Sequence, residues 1–302
     1  MISVLIPIYN FDIRPLVAEL YEELTEMGID FEIRCYDDAS YFDFKMINQR
    51  VAAYPHVIYK ELEDNIGRSK IRNLLASEAA YENLLFLDCD SQCAETNFIQ
   101  TYLSYRDENA VICGGRKYAT EPPADVNLML HWKYGVEKES IDLATRAKKP
   151  YKSFMSNSFM IPKKLFNDIK FNEEITGYGH EDTIFGLDLK ARKIPIIHID
   201  NPISHLGLKT AHHFLESAHH AVKNLAKLYR QNKVDSSIKL VKAYKTICLL
   251  GLKNKIRKKL DRDRNFFINQ LHTSHPDLKK LDKLKLLWLI EEVEKVGLEI
   301  KN

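Results

Sequence analysis

The first 115 residues alternate four short strand-like runs with stretches of helical period, and few folds accept that order. Ile2–Ile8 is apolar almost throughout and closes on Pro7, Tyr9 and Asn10. A run without polar alternation suits a strand buried on both faces, as in a parallel sheet. Leu16, Leu20 and Leu24, with Val17 and Met27, then recur at helical spacing. Residues 31–36 read as a second strand, ending in Asp37-Asp38-Ala39-Ser40, and residues 42–53 as a helix before a third strand at 57–59. Asn65-Ile66-Gly67 opens a helix with Ile71, Leu74 and Leu75 on one face. Residues 84–87 form the fourth run, which stops at Asp88-Cys89-Asp90. A helix near 97–105 and a strand over 110–113 follow. The expected class is α/β, a Rossmann-like, mostly parallel central sheet flanked by helices, with right-handed crossovers. Further strands are expected at 154–161 and 194–199, and from Ala211 almost everything has helical period. The expected division is therefore an α/β domain over 1–210 and a helical, basic region over 211–302.

Charge is distributed unevenly. The net charge is only +2, which argues against a general nucleic-acid binder. Residues 1–222 hold 24 Lys/Arg against 33 Asp/Glu, whereas residues 223–302 hold 20 against 9. An acidic body with a basic tail points to an anionic surface met by the tail. There, Val241, Tyr244, Ile247, Cys248, Leu249, Leu250, Leu252 and Ile256 alternate with Lys242, Lys245, Lys253, Lys255 and the basic run 257–259. Two readings stay open: a helix lying in an anionic membrane interface, or a helix packed on the body with a basic outer face. The five cysteines form no C-x-x-C pair and no framework, which fits a reducing compartment. Met1 leads directly into an apolar strand without a basic leader, and no stretch is long and apolar enough to span a bilayer. The expected location is cytoplasmic, peripheral at most, at the inner face of the cell membrane.

Open α/β sheets bind ligands beyond the C-terminal ends of their strands. Asp88 and Asp90 stand at such an end, where buried strands have no structural need of carboxylates. Hard cations such as Mn²⁺ or Mg²⁺ take carboxylate oxygens and are often completed by substrate phosphates. A second D-x-D pair, Asp261 and Asp263, lies among lysines and arginines and reads as a solvated helix face. Asp37 and Asp38 end a neighbouring strand. They suit hydrogen bonds from a nucleobase or ribose, although D-D-A-S is also good turn chemistry. Arg68 and Arg72, four apart at a helix start, place two guanidiniums on one face toward a base or diphosphate. Trp132, with Tyr134 and Tyr151 nearby, suits either sugar stacking or core packing. His212-His213 and His219-His220 lack supporting carboxylates or cysteines at metal spacing.

Ile6-Pro7-Ile8-Tyr9-Asn10, Asp37-Asp38-Ala39-Ser40, the stretch 65–73 and Asp88-Cys89-Asp90, in this order and spacing, resemble the family 2 glycosyltransferases of GT-A fold. The resemblance covers roughly residues 1–210. It implies that Pro7, Tyr9, Asn10, Asp37 or Asp38, Asn65, Arg68 and Arg72 hold a UDP-sugar. It implies further that Asp88 meets the ribose or sugar beside Cys89, and that Asp90 is the main metal ligand, with Asp88 as its partner. Gly177-Tyr178-Gly179-His180-Glu181-Asp182 is similar to the G-x-G-x-E-D element of galactosyltransferases and chondroitin-polymerase-like enzymes. By that analogy Asp182 is the base of an inverting transfer and Glu181 orients the acceptor, while Tyr178, Gly179 and Trp132 face the acceptor. His205, just past the 194–199 run, completes the metal shell by the same analogy. The implied donor is a UDP-sugar, the implied cofactor Mn²⁺ or Mg²⁺, and the implied acceptor a growing surface glycan or lipid-linked glycan. A nucleotidyltransferase would need a glycine-rich phosphate loop, and residues 6–11 contain no glycine. A non-catalytic glycan-binding relative would have lost the acidic motifs, all of which are present.

Overall fold

The structure, a computed structural model, describes residues 1–93 and 96–299, without the side chains of 296–299. Strand β1 (Ile2–Ile8) leads through α1 (Arg14–Glu26) to β2 (Phe31–Asp37), and α2 (Phe42–Asn48) to β3 (Val57–Glu61). Helix α3 (Arg68–Glu78) and β4 (Asn83–Leu87) complete the first half of the sheet. Then come β5 (Ser91–Cys93), α4 (Phe98–Ser104), β6 (Val111–Cys113), β7 (Arg116–Lys117), α5 (Met129–Tyr134) and α6 (Leu143–Lys148). Strand β8 (Ser158–Pro162), α7 (Lys163–Ile169), α8 (Glu181–Ala191), β9 (Ile196–His198) and β10 (Ile203–His205) follow. The remainder is helical: α9 (Ala211–Arg230), α10 (Lys239–Leu249), α11 (Lys253–Arg262), α12 (Arg264–Leu271) and α13 (Leu278–Glu299). Among the described residues no helix is long and apolar enough to cross a membrane.

The main sheet has seven strands in the order β3-β2-β1-β4-β8-β6-β9. Every neighbouring pair is parallel except the two that β8 makes, with β4 and with β6. The mostly parallel sheet is thus as expected, with one antiparallel strand in its middle. β1 shows why its sequence has no polar alternation. Ile2, Val4, Ile6 and Ile8 pack with α1 on one face, through Leu16, Val17, Leu20 and Leu24. Leu5 packs on the other face, with Ile71 and Leu75 of α3. β4 divides likewise, Leu85 and Leu87 against Leu84 and Phe86. Burying a leucine or isoleucine fully contributes roughly 1.5–3 kcal/mol, so these doubly covered strands anchor the sheet.

Some boundaries differ from the sequence reading. The helix expected over 42–53 is α2 followed by a tighter turn, Gln49–Ala53. The strand expected at 154–161 begins only at Ser158, because residues 156–157 form a turn ahead of it. A second, three-stranded sheet, β5-β10-β7, is too short in each strand to show as periodicity.

The chain divides into two compact units. The first holds Met1–Ala119, Gly135–Thr176 and Glu181–Gly207, and so contains both sheets. The second holds Thr120–Tyr134, Gly177–His180 and the chain from Leu208 onward. Within it α13 is the core helix, with Leu281, Leu284, Leu287, Leu289 and Ile290 completely buried. Helix α5 joins α9 through ring contacts of His131 and Tyr134 with Phe214, at 4.9 and 5.2 Å.

Candidate active site

Register places the acidic strand ends side by side. β1 pairs with β2 from Ile2 opposite Phe31 to Ile8 opposite Asp37, and with β4 through Leu5 opposite Phe86. The C-terminal ends of β1, β2 and β4 therefore share one edge, the expected ligand edge. The second sheet adds the distant histidine: β10 runs antiparallel to β5 with His205 opposite Ser91. His205 Nδ1 lies 3.4 Å from Asp90 Oδ1, and the Leu206 amide donates to the Asp90 carbonyl at 2.8 Å. Gly207 is required there, since a Cβ would stand 2.5 Å from Asp90 Oδ2. Burial alone would raise the Asp90 pKa. The His205 hydrogen bond and charge, with Arg116 and Arg68 nearby, outweigh it and hold the carboxyl below the carboxylate range.

The two carboxylates of the D-x-D stretch differ sharply in their partners. Arg72 Nη2 donates to Asp88 Oδ1 at 2.6 Å, and Arg116 Nη2 donates to Oδ2 at 3.2 Å. Arg72 is 2% exposed, lies 5.6 Å over the Phe171 ring and also donates to the Arg68 carbonyl. Arg116 continues the chain of charges to Glu139 Oε2 at 3.1 Å, which Tyr118 Oη bonds at 2.5 Å. Burial would lower the Arg116 pKa, but Glu139, Tyr118, Asp88 and Asp90 raise it instead. Asp88 thus has both oxygens engaged by arginines. This arrangement departs from the expectation that Asp88 shares the metal with Asp90. Cys89, between them, packs partly buried against the core, and burial pushes its thiol up to about 12. Among the described residues no three His, Cys, Asp or Glu side chains converge on one point. Asp90 and His205 nevertheless offer one carboxylate and one imidazole, a donor pair that Mn²⁺ or Mg²⁺ accepts when phosphate oxygens and water supply the rest.

Asp37 and Asp38 are engaged by their own loops. Asp37 is fully buried; its Oδ1 accepts the Ser40 amide at 2.6 Å and its Oδ2 the Tyr59 hydroxyl at 3.3 Å. Asp38 accepts the amides of Ile66 and Gly67 at 2.7 and 3.0 Å, and its carbonyl takes Asn65 Nδ2 at 2.9 Å. Only the Ser40–Asp37 bond is the local turn weighed for D-D-A-S; Asp38 reaches instead to the loop before α3. The pair ties the β2 end to the start of α3, with burial raising the Asp38 pKa. Asn10, at φ 52°, does the same for the β1 end, since the Tyr41 amide donates to its side chain and its own amide to Ser40 Oγ. Pro7 is half-buried within β1, and Tyr9, just past the strand's end, is exposed.

Helix α8 begins at Glu181 with both acids in its first turn. Glu181 Oε1 lies 3.6 Å from Arg68 Nη1, and Glu181 Oε2 is buried without a hydrogen-bond partner. Asp182 Oδ1 accepts the Thr183 amide at 2.6 Å. Burial first, and then the charge of Glu181, push the Asp182 carboxyl up to about 7. A carboxyl poised near neutral pH can exchange a proton with a hydroxyl's surroundings, which an ordinary surface aspartate does poorly. The residues just before α8 belong to the second unit. Gly177 and Gly179 take φ +73° and +96°, and a Cβ on Gly179 would stand 2.5 Å from Ala221 Cβ. Tyr178 lies under Lys209 Nζ at 4.2 Å, and its carbonyl accepts Asn224 Nδ2. Trp132 is half-buried on α5 in the same unit.

Arg116, Glu139 and Tyr118 were not anticipated. Arg116 follows strand β6 directly, after Gly114-Gly115, and an arginine at a strand end on the acidic edge was a readable signal. Its aim is set by Arg146, whose guanidinium donates to the carbonyls of Cys113, Gly114 and Ile199 and so pins that bend. Glu139 sits in a widened helical turn, Gly135–Glu139, and carries no sequence signature.

In comparisons with known proteins, no curated protein matches the chain in sequence. A mannosyltransferase from Pyrobaculum calidifontis, PcManGT, solved with GDP-Man and Mn²⁺, matches in structure with a TM-score of 0.54 at 14% identity. That match covers 76% of this chain but only 64% of PcManGT. TarS residues 1–349 from S. aureus, solved with UDP, match with a TM-score of 0.50 at 19% identity, over 98% of this chain and 91% of that one. These likenesses support the GT-A fold. The family model for glycosyl transferase family 2 matches residues 3–170, more than half of the sequence and including the ends of β1, β2 and β4, so the chain belongs to that family.

Proposed function

We propose that this protein transfers a sugar, with inversion, from a UDP-sugar to a hydroxyl of a growing surface glycan, and that it needs Mn²⁺ or Mg²⁺. The observation that carries the reading is geometric: Glu181 and Asp182 stand in the first turn of α8, and Asp90 and His205 lie 3.4 Å apart at the end of the sheet. Arg68 lies 3.6 Å from Glu181, and its charge also helps to hold the Asp90 carboxyl ionised. Asp90 and His205 would hold the cation, which supplies positive charge to the departing diphosphate. Ionised Asp182 accepts the proton of the acceptor hydroxyl as its oxygen attacks the anomeric carbon. The bond from that carbon to the diphosphate oxygen breaks, and its electron pair leaves with UDP. A single displacement requires no glycosyl-enzyme intermediate, so the anomeric configuration inverts. Arg68, four residues before Arg72, is 42% exposed where it meets Glu181, whereas Arg72 is 2% exposed against Asp88, so Arg68 is the more accessible of the two to a phosphate. PcManGT carries GDP-Man with Mn²⁺ and TarS carries UDP. The first supports the cation, and the second, aligned along almost the entire chain, supports uridine.

The test is release of free nucleotide from a panel of UDP-sugars and GDP-mannose, with Mn²⁺ or with EDTA. Release from one UDP-sugar, abolished by EDTA, is expected. Asp182→Asn should keep UDP binding and lose transfer by about 10²–10⁴-fold, the usual contribution of a positioned base. Asp90→Ala should lose metal-dependent UDP binding. Normal transfer by Asp182→Asn refutes the base assignment, and release only from GDP-mannose refutes the donor.

A further inference from the structure

Helices α10 and α11 meet in a turn whose apolar residues face water. Leu249 is 88% exposed, Leu250 62% and Leu252 39%, with Gly251 at φ +67° between them. The apolar residues that alternate with lysines in this stretch fall into two groups. Val241, Tyr244 and Ile247 are buried, and Ile256 packs beside Leu260, Phe267 and Leu287. Those residues hold the helices together, so the outward leucines are not needed for packing. Single exposed leucines are ordinary, but three in four consecutive positions at a helix–helix turn form a patch.

Charge surrounds that patch. From Lys239 to Lys259 the sequence carries eight lysines and arginines and no Asp or Glu. Lys253 and Arg257 are tied to Glu294 at 2.8 and 2.9 Å. Lys242, Lys255, Lys258 and Lys259 are exposed. We propose that this turn docks the protein on an anionic lipid bilayer. Leu249, Leu250 and Leu252 enter the boundary between head groups and acyl chains, and the flanking lysines lie against lipid phosphates. A bilayer surface offers apolar depth and surrounding negative charge together, which matches an apolar tip ringed by cations. A second copy of the chain fits poorly, since a two-fold contact through the tip would bring two uncompensated lysine clusters together. The proposal concerns the second unit and stands independently of the donor and base assignments.

The experiment is co-sedimentation of the full chain with vesicles of pure phosphatidylcholine or of phosphatidylcholine with 30% phosphatidylglycerol. The protein should sediment with the anionic vesicles and not with the neutral ones, and 0.5 M salt should weaken binding. Leu249→Asp with Leu250→Asp should lower binding at least tenfold, and so should Lys255→Glu with Lys258→Glu. Both variants change exposed residues, so an unchanged thermal unfolding midpoint verifies their fold. Undiminished binding by the leucine variant, equal binding to neutral vesicles, or a solution dimer that the leucine variant dissolves would each overturn the proposal.

Discussion

Asp88→Ala tests whether Asp88 belongs to the internal frame or to the ligand. The substitution removes the acceptor of two arginines. Arg116 keeps Glu139 at 3.1 Å, but Arg72 keeps, among the described residues, the Arg68 carbonyl and the Phe171 ring. With 2% of its surface exposed, Arg72 cannot recover its hydration, and its Nε already lacks a hydrogen-bond partner. Removing one partner of a buried ion pair costs about 3–5 kcal/mol, mostly from the stranded charge. Asp88 is 15% exposed, so solvent screening reduces this only modestly. In the unfolding of a domain of this size, such a loss lowers the midpoint by on the order of 10 °C. The assay is thermal unfolding in EDTA without nucleotide, which removes every ligand contribution. Arg72→Met alone should cost less, because Asp88 retains Arg116 and some water. The double variant should recover part of the Asp88→Ala loss, a coupling of about 1 kcal/mol or more. If Asp88→Ala unfolds within a degree of the parent under these conditions, Asp88 is a ligand group and the frame argument fails.

Asp182 gives a prediction with a definite sign in pH. Its folded pKa lies above the unfolded value, so the folded state holds a proton that the unfolded state loses as pH rises from about 4 to 7. Stability falls across that window, and Asp182→Asn should unfold at a higher temperature than the parent at pH 8 but not at pH 4. An equal difference at both values would refute the raised pKa. Transfer should likewise decline about tenfold per pH unit below pH 7, where the base is protonated; a flat profile to pH 5 would remove Asp182 from that role. Gly207→Ala should weaken Mn²⁺-dependent UDP binding at least tenfold by calorimetry, because its methyl group would displace Asp90. Unchanged affinity would show that Asp90 is not the cation's ligand.

The sheet was legible because β1 and β4 are buried on both faces and so carry nearly unbroken apolar runs, and because β2 is apolar apart from Glu32, Arg34 and its final Asp37. Their ends were legible because Asp37, Asp38, Asp88 and Asp90 interrupt those runs. What lay outside the sequence signal was partnership. Nothing in Asp37-Asp38 tells whether its oxygens face a ligand or the amides of Ser40, Ile66 and Gly67. Asp37 makes the local turn bond to Ser40, while Asp38 makes long-range bonds to Ile66 and Gly67 that no local pattern announces. The strands β5, β7 and β10 are two or three residues long, below the length at which alternation can be read. Their register nevertheless brings His205 to Asp90 across more than a hundred residues. Arg146 was illegible for another reason: it satisfies carbonyls rather than a carboxylate, so no acidic partner advertised it.

Charge balance at the site bears on the cation. Asp88, Asp90, Glu139, Glu181 and Asp182 stand against Arg68, Arg72 and Arg116, with Arg72 and Arg116 already bound to Asp88. Even with Asp182 protonated the carboxylates outnumber the guanidiniums, so a nucleotide diphosphate would approach a negative surface. In a partly buried site that repulsion is screened far less than in water. A divalent ion at Asp90 and His205 would reverse the sign where the diphosphate arrives, whereas its partial neutralisation by Arg68 alone would not. Lowering the acidity should therefore relax the metal requirement. Asp90→Asn should bind UDP more tightly than the parent in EDTA, yet gain nothing from added Mn²⁺. Calorimetry in both conditions reads the two effects separately. If the variant binds no better than the parent in EDTA, electrostatic repulsion is not what makes the site depend on a cation.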